Sequence, residues 1–426
     1  MKYLNIITYL LSFLITILVI FIFAVDRDFL NLKKKIYKTY PNIELRKFVF
    51  KKNSIMHHFN NDYNIKFLPK TQFEDLKFFK RKIVFDKNYY ENLYKDETIS
   101  YKRYGTFFID SFKNSLIITD YLGSIYNLKN FENEVRQDAE LNPTKIKSDL
   151  IPDRVFDTLI YEDKIFISYS KNENDCNLVM IDYAFLTQKE LKFKNFFKSN
   201  KCNDLATPGK MQVYKNDNKL GLIFSIAEGA YNKPGNNIQI KNSIFGKILF
   251  LPFDKTPYYI FSMGHRVIQG LYSDKKIIIS TEHGPRGGDE INKIKKDGNY
   301  GWPIASFGER YNFKYGENKI RYKKKHHTEN FVDPIFSFIE GIGISEIIRL
   351  PKDFSVYYDD HFLLGSLNGN SIYFVRFNHN YEKILTLEKV FINYRIRDIE
   401  YFKKSGSILL ALEEKGEIGI ILNSNY

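Results

Sequence analysis

The segment from Thr281 to Pro303, TEHGPRGGDEINKIKKDGNYGWP, concentrates residue types that can build a ligand site. It contains five glycines, two prolines and the only tryptophan of the chain, with carboxylates such as Asp289 among them. Gly and Pro fix unusual backbone paths, so a loop of this composition can aim several backbone carbonyls and side chains at one place. The segment therefore predicts a binding loop that regular elements on either side must hold.

The elements around this loop follow a repeat of strand, short polar turn, strand, loop and strand. Six copies begin at residues 107, 159, 213, 270, 348 and 399, at intervals of 52, 54, 57, 78 and 51 residues. The long interval contains a polar, lysine-rich insertion between Pro303 and Glu329. Short strands rich in β-branched and aromatic residues at near-constant spacing are typical of propeller blades. The sequence predicts an all-β, six-bladed β-propeller over residues 101–426, whereas an array of β-sandwiches would not require so regular a repeat.

The beginning of the chain carries 23 residues without a charge, Tyr3–Val25. This length is enough to cross a hydrocarbon core of ~30 Å as a helix. Bulky residues surround Ala24, which disfavours a cleaved signal peptide and favours an uncleaved anchor. We expect residues 1–25 to form a membrane anchor or signal-anchor helix, followed by a lysine-rich stalk and irregular lead-in over residues 26–100.

The two cysteines, Cys176 and Cys202, bear on the side of the membrane that the propeller occupies. A hairpin-like return of the chain between them would bring them together, and both have polar neighbours, unlike buried core thiols. A disulfide indicates an oxidising compartment, so we expect the propeller on the periplasmic or extracytoplasmic side. Two unpaired core thiols remain the alternative, and the lysines at positions 33–35 and 38 favour the opposite orientation.

The formal net charge of +14 comes mostly from lysines scattered along the whole chain. There is no compact arginine-rich face and no interleaved aromatic pattern, so the composition argues against a nucleic-acid partner. The charge is compatible with an anionic ligand or with a membrane surface.

Three motifs in and before the predicted loop resemble the pyrroloquinoline quinone (PQQ)-dependent aldose sugar dehydrogenases and soluble glucose dehydrogenases. They are GHRVIQGL at 264–271, EHGPRGGDEIN at 282–292 and NYGWP at 299–303. GSLNGNSIY at 365–373 and RIRD at 395–398 are similar to later motifs of the family, in the same order. The resemblance covers roughly residues 100–422. It implies a six-bladed propeller that oxidises a sugar or related alcohol with PQQ and Ca²⁺ and uses an unknown electron acceptor.

The resemblance gives cofactor-binding roles to five residues. Arg266 matches the arginine near the quinone oxygens, which also makes it the catalytic candidate, and its planar fork suits that role better than Lys. Gln269 and Tyr311 match positions that contact the cofactor. Arg395 and Arg397 match paired arginines that meet the cofactor carboxylates. PQQ carries three carboxylates and an ortho-quinone, so its site needs fixed cations. Taken singly, each arginine could instead pair with an acid or face solvent.

The resemblance also gives metal-binding roles to residues of the loop. Ca²⁺ takes 6–8 oxygen ligands, and a Gly-Pro turn can point successive carbonyls the same way. By resemblance, Gly284 and Pro285 supply carbonyls to a cofactor-linked Ca²⁺. Glu290 and Tyr300 match positions that bind a second Ca²⁺.

The match breaks at the family's general base. The histidine that takes the sugar hydroxyl proton is matched here by Thr207, which cannot act as that base. None of the eight histidines lies between Tyr101 and Lys219, and Glu228, Glu340 or a water could stand in. Two functions are therefore open: a membrane-anchored quinoprotein sugar dehydrogenase, or a non-catalytic propeller that binds carbohydrate or a protein partner and keeps a structural calcium loop.

Overall fold

The computed structural model describes residues 76–85, 105–132, 140–200, 208–228, 238–311, 322–352, 354–355, 358–413 and 416–423. The chain divides into two compact units, Met1–Ile65 and Lys66–Tyr426, and all described residues belong to the second. Among these residues, no helix is long and apolar enough to cross a membrane. The predicted anchor, Tyr3–Val25, lies outside them, as do Thr207 and Cys202.

The described residues form six sheets, which confirms the predicted propeller. The first strand among the described residues is β1 (Leu76–Lys82). The first sheet contains β2 (Phe107–Phe112), β3 (Ser115–Asp120), β4 (Ile125–Lys129) and β5 (Thr144–Ser148). The second contains β6 (Arg154–Tyr161), β7 (Lys164–Glu173), β8 (Cys176–Phe185) and β10 (Lys194–Lys198), while β9 (Glu190–Leu191) pairs in parallel with β5.

The remaining four sheets have four strands each. The third contains β11 (Pro208–Asn216), β12 (Lys219–Ile226), β13 (Lys247–Pro252) and β14 (Tyr259–Met263). The fourth contains β15 (Ile268–Ser273), β16 (Ile278–Glu282), β17 (Asp289–Lys293) and β18 (Phe336–Phe338). The fifth contains β19 (Ile344–Arg349), β20 (His361–Ser366), β21 (Ser371–Phe377) and β22 (Ile384–Phe391). The sixth contains β23 (Ile396–Phe402), β24 (Ser407–Leu412), β25 (Glu417–Asn423) and β1.

The strands follow from local sequence. Runs of β-branched and aromatic residues, such as SILLAL in β24, are buried along their whole length because both faces of each sheet are covered. Short polar turns separate them, and Lys113 and Asp217 take positive φ angles of 54° and 53° in two of these turns. A run of apolar residues bounded by such turns is the strand signal that the repeat provided.

The sheets are arranged as a closed ring. The inner strands β2, β6, β11, β15, β19 and β23 contact one another in this order, and β23 returns to β2. Strand β1 pairs with β25 in antiparallel register, from Leu76 opposite Asn423 to Lys82 opposite Glu417. The sequence had placed residues 76–82 in the irregular lead-in, but here they complete the last sheet. The ring is therefore closed by a strand from the other end of the chain.

Six clusters of buried apolar side chains fill the six spaces between neighbouring sheets. Between the fifth and sixth sheets, for example, Phe374 packs with Tyr358 and Leu410. Each sheet thus buries its faces against two neighbours, and the inner strands leave the axis of the ring to polar groups.

The inner strands place a buried ion cluster on this axis. The ammonium of Lys210 in β11 forms ion pairs with Asp157 of β6 and Glu346 of β19, and lies 3.7 Å from Asp398 of β23. Burial opposes its charge, but these carboxylates outweigh burial and raise the pKa of Lys210 well above its ordinary value. Burial raises the pKa of Asp157 to about 6 and that of Glu346 to about 8. One lysine therefore links the inner strands of four sheets.

Candidate functional site

The turn between β16 and β17, residues 283–288, is the centre of the predicted binding loop. Gly287 and Gly288 have φ angles of 77° and 71°, in the left-handed region that favours glycine. A Cβ on Gly287 would lie 2.1 Å from the carbonyl oxygen of Ile339, and one on Gly288 would lie 2.1 Å from the backbone nitrogen of Gly308. The turn packs backbone to backbone against two other loops, which explains both glycines.

A small cavity lies beside this turn. The turn contributes His283 and Gly284 to its wall, and the flanking segments contribute Arg266, Tyr300 and Trp302. Its free volume is about 10 Å³, which is room for about one water molecule, so a larger ligand requires the surrounding side chains to move. The GHR, EHGPRGG and NYGWP motifs thus meet at one cavity.

Arg266 is held in this cavity by several contacts. Its Nη1 donates to the carbonyl oxygens of His283, at 3.1 Å, and Gly284, at 2.8 Å. Its Nε lies 3.3 Å from Oε1 of Glu228, and its guanidinium lies 5.4 Å from the centre of the Trp302 ring. Nη2 lies 3.4 Å from the hydroxyl of Tyr311, a side chain that is 54% exposed. The structure therefore brings together Arg266 and Tyr311, two residues to which the resemblance gave a cofactor-binding role.

Glu228, one of the two acids considered as a substitute base, is part of the same network. The indole N–H of Trp302 donates to its Oε2 at 2.6 Å. Burial raises the pKa of Glu228, although the Arg266 charge and the Trp302 hydrogen bond act against this shift. Glu340, the other acid considered, is exposed. Of the two acids, Glu228 is the one that contacts residues of the cavity wall, Arg266 and Trp302.

Arg395 and Arg397 share one buried carboxylate, that of Glu413. Nη2 of Arg395 lies 3.0 Å from one carboxylate oxygen, and Nη2 of Arg397 lies 2.7 Å from the other. Burial alone would raise the pKa of Glu413, but the charges of Arg397 and Arg395 lower it to about 2. Nη1 of Arg397 donates to Oε1 of Gln269 at 2.9 Å. The structure thus brings together three of the predicted cofactor residues, Gln269, Arg395 and Arg397. The two arginines and Glu413 together carry one net positive charge.

His283 has an arrangement that the sequence did not predict. Its Nε2 is buried and has no hydrogen-bond partner among the described residues. Burial lowers the pKa of His283; Asp289 opposes this shift, while Arg266 and Arg397 reinforce it. The lowered pKa favours the neutral ring, and His283 contributes to the wall of the cavity.

The predicted calcium donors are not gathered in the way that a metal site requires. The Gly284 carbonyl accepts a hydrogen bond from Arg266, and the Tyr300 hydroxyl donates to the Lys293 carbonyl. Glu290 lies 3.8 Å from Nε2 of His326, a buried side chain that the lysine-rich insertion supplies. Within the described part of the chain, no group of three or more His, Cys, Asp and Glu side chains is placed to hold a metal ion. These donors do not fit Ca²⁺ in this arrangement; the structure gives no contact for the Pro285 carbonyl.

Sequence reasoning missed three of the groups that shape this region, Glu413, Lys210 and His283. Glu413 follows the fully apolar strand β24, and Lys210 lies at the start of an inner strand. An ionisable residue in or directly after a buried strand is a signal that was available, because such a residue requires a partner. The identity of that partner depends on tertiary contacts.

The comparisons with known proteins agree with this fold. The family model described as glucose / sorbosone dehydrogenase matches residues 149–421, which is more than half of the chain. "Uncharacterized protein slr1608" of Synechocystis sp. (strain ATCC 27184 / PCC 6803 / Kazusa) is 29% identical over 161 residues, covering 37% of this chain and 38% of that protein. "Aldose sugar dehydrogenase YliI" of Escherichia coli (strain K12) is 28% identical over 163 residues, covering 37% of this chain and 42% of that protein. The alignments thus span about two fifths of each relative.

Solved structures with the same fold cover more of the chain. A glucose dehydrogenase aligns with a TM-score of 0.61 and 19% identity over 75% of this chain and 96% of that one. The PQQ-bound form of aldose sugar dehydrogenase from Streptomyces coelicolor aligns with a TM-score of 0.51 and 16% identity, over 72% of this chain and 90% of that one. At these identities the likeness shows the fold, while the family model supplies the relationship. The chain belongs to the glucose / sorbosone dehydrogenase family.

Proposed function

We propose that this propeller is a quinoprotein-type sugar dehydrogenase that binds PQQ and oxidises a sugar or related alcohol. The observation that carries the proposal is that Arg266 and His283 line one cavity, while Arg397, bonded to Gln269, lies close enough for its charge to act on His283. These groups come from three motifs that resemble the family's cofactor motifs. The solved PQQ-bound relative with the same fold supports the choice of cofactor.

The residues of the site suit such a ligand. Arginine forks bind carboxylates and carbonyl oxygens through paired N–H donors, which is what an anionic ortho-quinone offers. Arg395 and Arg397 together carry one more charge than Glu413 neutralises, so they can bind a further carboxylate. When bound, the quinone supplies the hydride acceptor of the reaction. Arg266 then fixes the end of the ligand that reaches the His283–Gly284 turn.

The substrate proton requires an acceptor because Thr207, outside the described residues, stands where the family has its histidine. His283 supplies a neutral imidazole nitrogen without a partner, at the wall of the cavity. We propose that Nε2 of His283 accepts the hydroxyl proton of the substrate. Burial, together with the charges of Arg266 and Arg397, lowers the pKa of His283 and so favours the neutral imidazole that can accept a proton.

The alternative function is a propeller that binds carbohydrate or a protein partner without catalysis. The specific observation that favours it is that Arg395 and Arg397, the residues expected to meet a cofactor carboxylate, already bind a carboxylate of the chain, that of Glu413. Thr207 favours it as well, since the family base is missing at that position. In this function the loop at residues 283–288 would be a rigid part of the binding surface.

A titration of the purified full chain with PQQ distinguishes the two functions. Trp302 is the only tryptophan and lies at the cavity wall, so its fluorescence reports binding there. Saturable quenching by PQQ, lost in Arg397→Gln and retained in Arg349→Gln far from the cavity, would support the quinoprotein. A melting temperature and Trp302 emission that do not respond to PQQ at any concentration would refute it and leave the non-catalytic propeller.

We also propose that the chain is anchored in a membrane through residues 3–25, with the propeller on the periplasmic or extracytoplasmic side. The support is the uncharged length of this segment together with Cys176, which is disulfide-bonded. Protease treatment tests the orientation. Protease that reaches the outer face of the membrane, with the membrane itself intact, should cleave the propeller, whereas a propeller on the cytoplasmic side would be cleaved only after the membrane is disrupted.

A further inference from the structure

The backbone carbonyl groups of His283 and Gly284 both bind the guanidinium of Arg266. A Ca²⁺ ion would need 6–8 oxygen ligands at 2.3–2.6 Å, and successive carbonyls of a Gly-Pro turn are suitable donors. Here both carbonyls instead accept hydrogen bonds from Nη1 of Arg266, at 3.1 and 2.8 Å. Gly284, one of the two predicted carbonyl donors to calcium, is thus bonded to a side chain of the protein, together with the carbonyl that precedes it.

Arg266 is fixed in this position from every side that the structure describes. Its guanidinium is paired with Glu228 at 3.3 Å and lies against Trp302 at 5.4 Å, while its backbone N–H donates to Glu282. Arg266 is only 4% exposed, so its charge acts in a region with little water. A divalent cation at the same carbonyls would face an adjacent, poorly screened positive charge. The guanidinium and a metal ion therefore compete for one place.

One edge of the guanidinium remains suited to a ligand. Nη2 is covered by the Tyr311 hydroxyl at 3.4 Å, which is a long hydrogen bond from a side chain that is more than half exposed. An anionic or carbonyl oxygen can replace this hydroxyl without disturbing the bonds of Nη1 to the two carbonyls. Charge-assisted bonds from a guanidinium to such oxygens are shorter and stronger than the bond they would replace.

We propose that Arg266 is the resident cation of this site, in the place of a metal ion, and that ligand oxygens bind to its guanidinium directly. The ligand class is an anion with carbonyl or carboxylate oxygens, and only the choice of PQQ as its representative rests on the proposed function. Ligand binding by this chain is then independent of divalent cations, in contrast to the calcium sites that the sequence resemblance implied.

The test compares ion dependence in the purified full chain and in Arg266→Gln, which frees both carbonyls. Calorimetric titration of Ca²⁺ alone should show no binding to the unaltered chain, and 1 mM-scale Ca²⁺ should leave its melting temperature unchanged, since a ligand of the native state raises it. The dissociation constant of PQQ, read from Trp302 fluorescence, should agree within about twofold in chelator and in Ca²⁺, where tenfold corresponds to roughly 1.4 kcal/mol. Arg266→Gln should weaken PQQ binding by more than about tenfold, whereas Arg349→Gln should not.

Two results would overturn the inference. Stoichiometric Ca²⁺ binding to the unaltered chain, lost on mutation of Glu290, would show that a metal ion can occupy the loop beside Arg266. A loss of PQQ affinity of more than about tenfold in chelator would show that the ligand needs that metal. If PQQ binds under neither condition, the proposed function fails, but the Ca²⁺ titration still decides the role of Arg266. Arg266→Lys keeps the charge and serves where the glutamine variant does not fold.

Discussion

Replacing Lys210 with Met should destabilise the propeller in a strongly pH-dependent way. Lys210 is 7% exposed, and it is the only cation that the structure places against Asp157, Glu346 and Asp398. The attraction across the 3.7 Å gap to Asp398 alone is about 4 kcal/mol at an effective dielectric constant of ~20, before desolvation is subtracted. Removing one partner of a buried ion pair costs ~3–5 kcal/mol, because the remaining charge is left uncompensated.

The dependence on pH follows from the carboxylates. Asp157 and Glu346 have folded-state pKa values raised to about 6 and about 8, above their ordinary values. The folded chain therefore binds more protons than the unfolded chain, and the contribution of these groups to stability falls as pH rises from ~4 to ~8. Without Lys210 the folded-state pKa values of Asp157 and Glu346 rise further, because Lys210 is the charge that lowers them, so the variant loses more stability as pH rises. The deficit of Lys210→Met should be small near pH 5 and reach its full ~3–5 kcal/mol above pH 8.

Urea unfolding of both proteins at pH 5 and pH 8.5 measures this deficit. Lys192→Met is the control, since Lys192 forms ion pairs with Asp149 and Glu190 on the exposed surface and its loss should have little effect. Adding Asp157→Asn and Glu346→Gln to Lys210→Met should recover most of the stability, because neutral groups need no counter-ion. Equal urea midpoints at pH 8.5, or a deficit of the same size at both pH values, would refute the reasoning.

Three further predictions concern the site. Glu413→Gln should cost ~3–5 kcal/mol, because it removes the buried carboxylate that Arg395 and Arg397 share. Since the pKa of Glu413 lies at about 2, below its ordinary value, the deficit should be constant from pH 5 to 8 and shrink only below pH ~4. Urea midpoints that differ by a pH-dependent amount above pH 5 would contradict it. The fluorescence of Trp302 should change with pH as Glu228, whose pKa is raised by burial, titrates above its usual range. This transition should vanish in Glu228→Gln. An unchanged pH profile in that variant would assign the transition to another group. Gly288→Ala should lower the free energy of unfolding by ~2 kcal/mol or more, because the backbone has a φ of 71° and a Cβ would lie 2.1 Å from a backbone nitrogen. Gly298→Ala is the control, since the atom nearest to its added Cβ would be 3.0 Å away. The melting temperature should therefore fall less in Gly298→Ala than in Gly288→Ala.

The number of blades and most of their strands could be predicted from the sequence. Strand runs such as SILLAL and polar turns such as that at Asp217 are local features, so their spacing reported the repeat directly. The tight turn at residues 283–288 was predictable for the same reason, since Gly287 and Gly288 mark a backbone path that other residues cannot follow, while ligand binding by this turn stays a prediction. The convergence of Arg266 and Tyr311 followed only from the resemblance to a family.

The sequence by itself determined that this protein is a ring of six similar sheets with a glycine-rich loop in the fourth, because hydrophobic periodicity and turn chemistry act over a few residues. Only the tertiary structure decided that residues 76–82 close the ring and that Lys210 joins four inner strands. It also decided that the Gly284 carbonyl, one of the two expected to bind calcium, accepts a hydrogen bond from Arg266. These contacts join residues from separate sheets, and the twist and register of the sheets decide which side chains come within a few ångströms of each other. A pattern that spans only a few residues cannot specify such long-range contacts.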